Sequence, residues 1–169
     1  MRPRNRPEGA DVRARRACAA DLPEILRLVS VMFADFGTRT DPSWQTRTGE
    51  ALSGRLWADV GAFVVGAEPP TALAACAVGV LRRSLPSPRR ATQTVGYIEW
   101  VVADPARRHQ GHASAATAAL VDWLTDQGAA VVDVHASAAA EPLYRRLGFT
   151  DDGPVALRLR RAGPTRHRS

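Results

Sequence analysis

The stretch VGYIEWVVADPARRHQGHA (95–113) decides the fold, because its pattern changes from strand to turn to helix. Residues 95–103 combine β-branched and aromatic residues and form the most strand-like segment of the chain. Asp104-Pro105 then begins a turn, and Gly111 lets the backbone change direction. From Ala113 to Gln127 apolar residues recur at helical spacing, which predicts a long helix.

A strand predicted over 131–134 completes a strand–helix–strand unit, whose two strands should be parallel and connected right-handedly. The strands predicted at 62–65 and 72–81 are joined by short turns and should be antiparallel. We therefore expect an α+β fold in α/β/α layers, with a mixed, mostly antiparallel central sheet and one parallel βαβ unit. A dinucleotide-binding sheet is disfavoured, because its Gly-x-Gly-x-x-Gly motif is not met at the turn before the long helix.

Periodicity and chain breakers predict further elements outside this region. They are a short strand at 12–17, a helix from Leu22 to about Phe36 with Asp21 and Glu24 as a capping box and Gly37 at its end, a helix over about 44–60, a loop at 82–94, a short helix over 141–147 and a hairpin at 149–159.

The charge distribution argues against a nucleic-acid-binding protein. The chain has 169 residues and a net charge of +6. Residues 1–16 contribute +4 and residues 162–169 contribute +2, so residues 17–161 are neutral overall. A nucleic-acid-binding protein would instead concentrate its excess charge on a folded face. We expect one domain over 12–161, basic tails at 1–11 and 162–169, and no nucleic-acid partner.

Other features are typical of a cytoplasmic globular protein. No apolar run approaches the roughly 20 residues that span a bilayer, so no membrane association is expected. Cys18 and Cys76 are too few for a disulfide framework, and we interpret both as small buried residues in a reducing compartment. No His, Cys or carboxylate cluster has metal-ligand spacing, so no metal site is expected.

The turn RHQGHA (108–113) has the features of an anion-binding site. It lies between a predicted strand and a predicted helix, where successive backbone N–H groups and the helix dipole attract negative charge. Gly111 allows a phosphate to approach the backbone, and Arg108 can add positive charge. Taken alone, the same six residues also fit an ordinary strand-to-helix turn.

Two motifs in context resemble the GNAT superfamily of N-acetyltransferases. VVADPARRHQGHA (101–113) is similar to the family's strand, Pro-bearing turn and Arg/Gln-x-x-Gly-x-Gly/Ala signature before a long helix. About thirty residues later, AEPLYRRLGF (140–149) is similar to the second motif, Ala-x-x-Leu-Tyr-x-x-x-Gly-Phe. The order of predicted elements from about 12 to 161 also agrees with the family.

The resemblance implies a coenzyme A site. Backbone N–H groups of the turn would bind the pyrophosphate, and backbone groups of Val101, Val102 and Ala103 would pair with the pantetheine arm. One of these N–H groups could also polarise the thioester carbonyl. Where many members have Asn, this chain has Ser137, which can bond to the coenzyme or to the helix start. The implied pyrophosphate-binding residues are Arg108, His109, Gln110, Gly111, His112 and Ala113.

Two side chains are candidates for proton transfer. Tyr144 occupies the position of the family's general acid, which contacts the coenzyme and protonates the departing thiolate. Glu99, an acid among apolar neighbours, is either the general base or a structural or substrate-binding carboxylate. His135 and His112 are further candidates for the base, each with a structural interpretation as the alternative.

The resemblance implies direct transfer of an acetyl group from acetyl-CoA to a primary amine in a ternary complex. We expect a small-molecule acceptor, held by residues 37–47, by the loop at 82–94 and by the face with Tyr97, Glu99 and Trp44. The alternatives are a protein or peptide amine as acceptor, and a non-catalytic acyl-CoA-binding module. A homodimer is compatible with the family.

Overall fold

Five strands form one sheet in the order β1-β2-β3-β4-β5. The computed structural model describes residues 12–66, 72–86, 88, 92–151 and 153. The strands are β1 (Arg15–Arg16), β2 (Val60–Val65), β3 (Ala75–Arg83), β4 (Thr94–Ala103) and β5 (Val132–Val134). The helices are α1 (Leu22–Asp35), α2 (Pro42–Arg55), α3 (His112–Asp126) and α4 (Glu141–Arg146).

The strand directions confirm the predicted α+β fold. The pairs β1–β2, β2–β3 and β3–β4 are antiparallel, and β4–β5 is parallel across the α3 connection. The sheet is therefore mixed and mostly antiparallel, with the one βαβ unit that the sequence predicts.

Apolar cores cover both faces of the sheet. One core joins the buried side chains of α1 and α2 to one face, which we call the α1/α2 face, through Ile25, Leu28, Val29 and Leu52. The other joins α3 and α4 to the opposite face, the α3/α4 face, through Ala116, Leu120, Leu124 and Tyr144. The α3 residues of this core belong to the predicted apolar stripe, because positions three and four apart share one side of a helix.

A β-bulge interrupts β4 at Glu99. Val78 pairs with Trp100 while Gly79 pairs with Ile98, so Glu99 is an extra residue in β4. The bulge reverses the alternation of side chains along the strand. Tyr97 contributes to the core under α1 and α2, and after the bulge so do Trp100 and Val102. The side chains that follow Glu99 therefore point to faces that a regular strand would not give them.

Helix α1 begins at Leu22, as predicted, but its capping differs from the prediction. Asp21 occupies the N-cap position without a side-chain hydrogen bond to the helix, so the predicted capping box with Glu24 is wrong. The Asp21 carboxylate instead accepts hydrogen bonds from the Arg15 guanidinium and from the backbone N–H of Cys18, at 2.8 Å. Burial raises the pKa of Asp21, but these bonds outweigh burial and lower it overall. An arginine six residues earlier in the chain thus binds the carboxylate that the sequence pattern assigned to the helix start.

Other element limits differ by a few residues. Helix α2 begins earlier than predicted, because Asp41 accepts from the N–H of Trp44 at 2.7 Å and Pro42 occupies the first turn. Strand β3 continues through Arg83 into the segment predicted as a loop. The hairpin predicted at 149–159 lies largely outside the described residues. Cys76 is buried as predicted, but Cys18 is exposed, so its interpretation as a buried residue is wrong.

Helix lengths and compositions bear on membrane insertion. Within the described residues, no helix combines the length and the apolar content that a bilayer crossing requires.

Candidate functional site

Strands β4 and β5 separate at the middle of β4. Strand β5 pairs only with Gly96, Tyr97 and Ile98. On its other side β4 stays paired with β3 as far as Ala103. From Glu99 to Ala103 the β5-facing edge of β4 has no strand partner among the described residues. Unpaired N–H and C=O groups of a strand edge can bind an extended ligand as an added strand.

Asp104 anchors the turn after β4. Its Oδ1 accepts from the backbone N–H of Ala106 at 3.0 Å, and its Oδ2 accepts from Arg27 of α1 at 2.9 Å. The Ala106 N–H, together with Arg27, lowers the pKa of Asp104 and keeps the carboxylate charged. Arg27 also binds Glu24, which accepts from the N–H of Leu73 at 3.0 Å. Helix α1 therefore fixes the position at which the turn leaves the sheet.

The backbone between β4 and α3 alternates in a way that suits an anion. His109 has a φ of +61° and Gly111 a φ of +82°, both in the left-handed region. Arg108, which follows a single 3-10 turn at Pro105–Arg107, is extended with a ψ of 158°. Gly111 precedes α3 and supplies no side-chain cap to its first N–H groups. A Cβ built on Gly111 would meet nothing within 4 Å, so the space in front of it is open. Such a concave set of N–H groups binds phosphate oxygens.

Arg108 forms an ion pair that the sequence does not reveal. Its guanidinium lies 2.6 Å from the carboxylate of Asp35, at the end of α1. Both side chains are exposed, so a phosphate in front of the turn can compete with Asp35 for the arginine.

His112 occupies the first turn of α3. Its Nε2 lies 3.1 Å from Oε1 of Gln110. Its Nδ1 is buried without a hydrogen-bond partner among the described residues. The imidazole thus contacts the turn itself; the sequence predicts the backbone N–H of His112 as a pyrophosphate ligand and its imidazole as a further candidate for the base.

Tyr144 is buried on the α3/α4 face. Its side chain is 6% exposed and contacts Phe149 edge-to-face at 5.5 Å between ring centroids. Burial, with a smaller contribution from the nearby Tyr97, raises the pKa of Tyr144 to about 12. The hydroxyl therefore keeps its proton at neutral pH.

Ser137 lies before α4. Its Oγ accepts from the N–H of Ala140 at 3.3 Å, and its carbonyl accepts from the N–H groups of Ala140 and Glu141. Of the two roles predicted for Ser137, the structure contains the bond to the helix start.

Glu99 belongs to a group of four side chains at the point where β4 and β5 separate. Its carboxylate lies 2.9 Å from the guanidinium of Arg82. The same guanidinium lies 3.9 Å above the ring of Tyr97. The Tyr97 hydroxyl in turn lies 2.5 Å from Nδ1 of His135. Two of the three candidate bases, Glu99 and His135, are therefore linked through Arg82 and Tyr97.

Several ion-pair partners of the site residues could not be predicted from the sequence. Asp35, Arg27 and Arg82 pair with residues 73, 77 and 17 positions away in the chain. Trp44, expected beside the acceptor, packs edge-to-face on Phe33 at 5.5 Å in the core under α1 and α2. No local motif signals these contacts, since they depend on how α1 and β3 approach β4.

In the part of the chain that the structure describes, no three His, Cys, Asp or Glu side chains cluster in a way that could hold a metal ion.

The sequence and fold were then compared with known proteins. The model of the Acetyltransferase (GNAT) family matches residues 28–149. No curated protein matches the sequence significantly.

Solved structures share the fold over most of the chain. A predicted acetyltransferase from Clostridium acetobutylicum, crystallised with acetyl-CoA, has a TM-score of 0.73 at 19% identity and covers 87% of this chain and 96% of its own. An acetyltransferase from Trypanosoma brucei has a TM-score of 0.68 at 25% identity, with 89% and 99% covered. AAC(6')-Iy, in complex with the bisubstrate analogue CoA-S-monomethyl-acetylneamine, has a TM-score of 0.71 at 17% identity, with 90% and 100% covered.

Proposed function

The chain belongs to the GNAT acetyltransferase family, and we propose that it transfers an acetyl group from acetyl-CoA to the primary amine of a small molecule in the cytoplasm. The observation that carries this proposal is the juxtaposition of two features: the β4 edge from Glu99 to Ala103, which has no strand partner within the described part of the chain, and the left-handed turn at the start of α3. An extended pantetheine arm and a pyrophosphate need these two features side by side.

In this proposal, different backbone segments bind different parts of the coenzyme. N–H groups of His109 to Ala113 bind the pyrophosphate, and Arg108 leaves Asp35 to add a cation. Val101 to Ala103 pair with the pantetheine arm, and one of their N–H groups donates to the thioester carbonyl oxygen. Ser137 binds the coenzyme from the other side of the opening while it still holds the start of α4.

The transfer follows direct attack by the amine. The lone pair of a neutral amine forms a bond to the carbonyl carbon, and the C–S bond breaks with its electron pair on sulfur. The amine loses one proton to a base, and the thiolate gains one from an acid, which leaves an amide and free CoA. Both reactants are bound together, so the step needs no acyl-enzyme.

Tyr144 stabilises the departing thiolate. With a pKa of about 12, against about 8.5 for a thiol in water, complete proton transfer would be uphill by ~5 kcal/mol. Burial raises the thiol pKa as well, and this narrows the difference. Tyr144 therefore donates a strong hydrogen bond as the C–S bond breaks, and its proton passes to sulfur only late.

Glu99 accepts the proton of the attacking amine. It lies at the bulge, beside the opening between β4 and β5, and is partly exposed to solvent and to an incoming substrate. The approaching ammonium replaces Arg82 as partner of one carboxylate oxygen, and the proton leaves directly or through water.

The acceptor is proposed to be a small molecule. The neighbour bound to CoA-S-monomethyl-acetylneamine supports a small amine over a protein amine. A non-catalytic acyl-CoA-binding module is the second candidate, because the turn and the β4 edge would serve coenzyme binding without turnover.

Thermal unfolding and thiol release test the proposal together. Acetyl-CoA at 100 times its dissociation constant should stabilise the fold by about 2.7 kcal/mol. Absence of any shift with acetyl-CoA or CoA would contradict both candidates. Thiol release that depends on added amine distinguishes the enzyme from the binding module.

A further inference from the structure

An apolar cavity lies directly beside Glu99. Its volume is about 160 Å³, and it separates the end of α2 from the α1/α2 face of the sheet. An apolar cavity of about this size, roughly 150 Å³, accommodates one benzene ring. The apolar wall consists of Ala51 and Leu52 from α2 and of Val60, Val78, Val80 and Trp100 from the sheet.

The charged groups of the cavity are few and opposite in sign. Among the described residues around it, Glu99 is the single acid. Arg55 is the positively charged residue on the α2 side, and it forms an ion pair with Asp59. Arg82 contacts Glu99 from β3 at 2.9 Å. One carboxylate between two arginines can bind one ammonium group, whereas a second or third positive charge would meet Arg55 or Arg82.

We infer that the acceptor is a monoamine with an apolar substituent the size of one aromatic ring, which fills this cavity while its amino group contacts Glu99. This inference rests on the proposed function, since it assigns the substrate class of the same site. The apolar walls provide a hydrophobic contribution to binding, and the carboxylate fixes the amino end toward the opening between β4 and β5.

The position of the cavity favours the acceptor over a structural packing defect. Glu99, the extra residue that the β4 bulge creates, is one of its lining residues, so the cavity borders the proposed proton acceptor. Trp100 and Thr48, which also border it, are only half-buried, so the cavity is accessible from the solvent side.

Steady-state kinetics with a panel of amines that differ in apolar size and in charge test this inference. The panel is ethanolamine, n-butylamine, phenethylamine and the polyamine spermidine, each with saturating acetyl-CoA. We expect kcat/KM for phenethylamine to exceed that for ethanolamine by at least about tenfold, since each added methylene in an apolar pocket contributes ~10-fold or more. Spermidine should be the poorest acceptor.

A matched pair of variants locates the effect. Ala51 and Ser53 are both exposed on α2, so a leucine at either position leaves the core unchanged. Only Ala51 borders the cavity. Ala51→Leu should lower the preference for phenethylamine over ethanolamine by about tenfold or more, and Ser53→Leu should leave it unchanged. A Val80→Ala variant, which enlarges the cavity, should shift the preference toward a larger aryl amine.

The outcomes separate this inference from the proposed function. Turnover of ethanolamine or spermidine that equals or exceeds that of phenethylamine overturns the inference and leaves the acetyltransferase proposal intact. An unchanged preference in Ala51→Leu also overturns it. No thiol release with any amine, despite coenzyme binding, contradicts the proposed function instead.

Discussion

The hydroxyl of Tyr97 lies 2.5 Å from Nδ1 of His135, a hydrogen bond that joins β4 to the segment after β5. It closes the parallel part of the sheet just before the strands separate, because Tyr97 pairs with Asp133 and the last pair is Ile98 with Val134. The bond therefore lies at the point where the opening between β4 and β5 begins.

This arrangement gives a prediction for the general base. Glu99→Gln should lower kcat/KM by about 10²-fold or more, since a positioned base contributes 10²–10⁴-fold. His135→Ala and Tyr97→Phe should each cost less than tenfold, because they loosen the opening without removing the proton acceptor. Turnover is measured by thiol release with one amine across pH 6 to 9.

The conservative variants supply the control. Glu99→Asp keeps the carboxylate and should recover part of the activity that Glu99→Gln loses. If His135→Ala lowered kcat/KM as much as Glu99→Gln does, the proton acceptor would be His135 and not Glu99.

Arg108 and Asp35 give a prediction for coenzyme binding. Arg108→Gln should weaken CoA binding by about tenfold or more, because one charge-assisted hydrogen bond to phosphate contributes ~1.5–3 kcal/mol. Asp35→Asn should bind CoA at least as tightly as the original chain, since it removes the carboxylate that competes for Arg108. Titration calorimetry measures both.

Stability serves as the control for this pair. Exposed ion pairs contribute ~0–1 kcal/mol, so neither variant should alter the free energy of unfolding by more than this. Weaker CoA binding in Asp35→Asn would mean that the ion pair positions the turn for the coenzyme instead of competing with it.

Two glycines test the conformation of the turn. Gly111 has a φ of +82°, and Gly54 lies inside α2 with no positive φ; a Cβ at either would meet nothing within 4 Å. Gly111→Ala should cost roughly 1–2 kcal/mol of stability, because an L-residue is strained in the left-handed region. Gly54→Ala should stabilise by up to about 1 kcal/mol, since alanine favours the helix.

Urea unfolding measures the two stabilities, and CoA titration measures binding. Gly111→Ala should also weaken CoA binding, while Gly54→Ala should not. Equal effects of the two substitutions on stability would contradict the left-handed assignment at Gly111.

The sequence predicted the elements whose signals are local. The helix before Gly128 and the strand before Asp104 follow from periodicity and chain breakers, and the parallel β4–β5 pair follows from the helix between them. The turn of residues 108–113 was predicted at the position where the structure has its left-handed residues.

The contacts that define the opening were not predictable in the same way. The bulge at Glu99 depends on how β3 pairs with β4, and a period-two pattern gives no sign of it. The residue type and position of Asp21 predict a helix cap, but Arg15 of β1 binds its carboxylate instead. The partners of Glu99 and Arg108 are exposed side chains, for which apolar periodicity carries no information.

Tyr144 gives a prediction in which pH separates its role from that of the base. Its pKa of about 12 exceeds the ordinary value of about 10, so the folded state holds this proton more tightly than the unfolded state. The resulting stability is fully present below pH 10 and decreases as the pH rises toward 12, by roughly 3 kcal/mol. Between pH 7 and 10 Tyr144 stays protonated, so it contributes no change in turnover over that range.

We therefore expect Tyr144→Phe to lower kcat at least tenfold, with coenzyme binding unchanged and with a ratio to the original chain that is constant from pH 7 to 10. The chain has two tyrosines, so ultraviolet absorbance of tyrosinate follows each one in the variant that lacks the other. Tyr144→Phe should remove the tyrosine that ionises near pH 12, and Tyr97→Phe should leave it. Unchanged kcat in Tyr144→Phe would exclude the hydroxyl from a role in thiolate departure. If the ratio of the kcat values of the variant and the original chain varied between pH 7 and 10, the pKa of Tyr144 would lie far below the value that its burial implies.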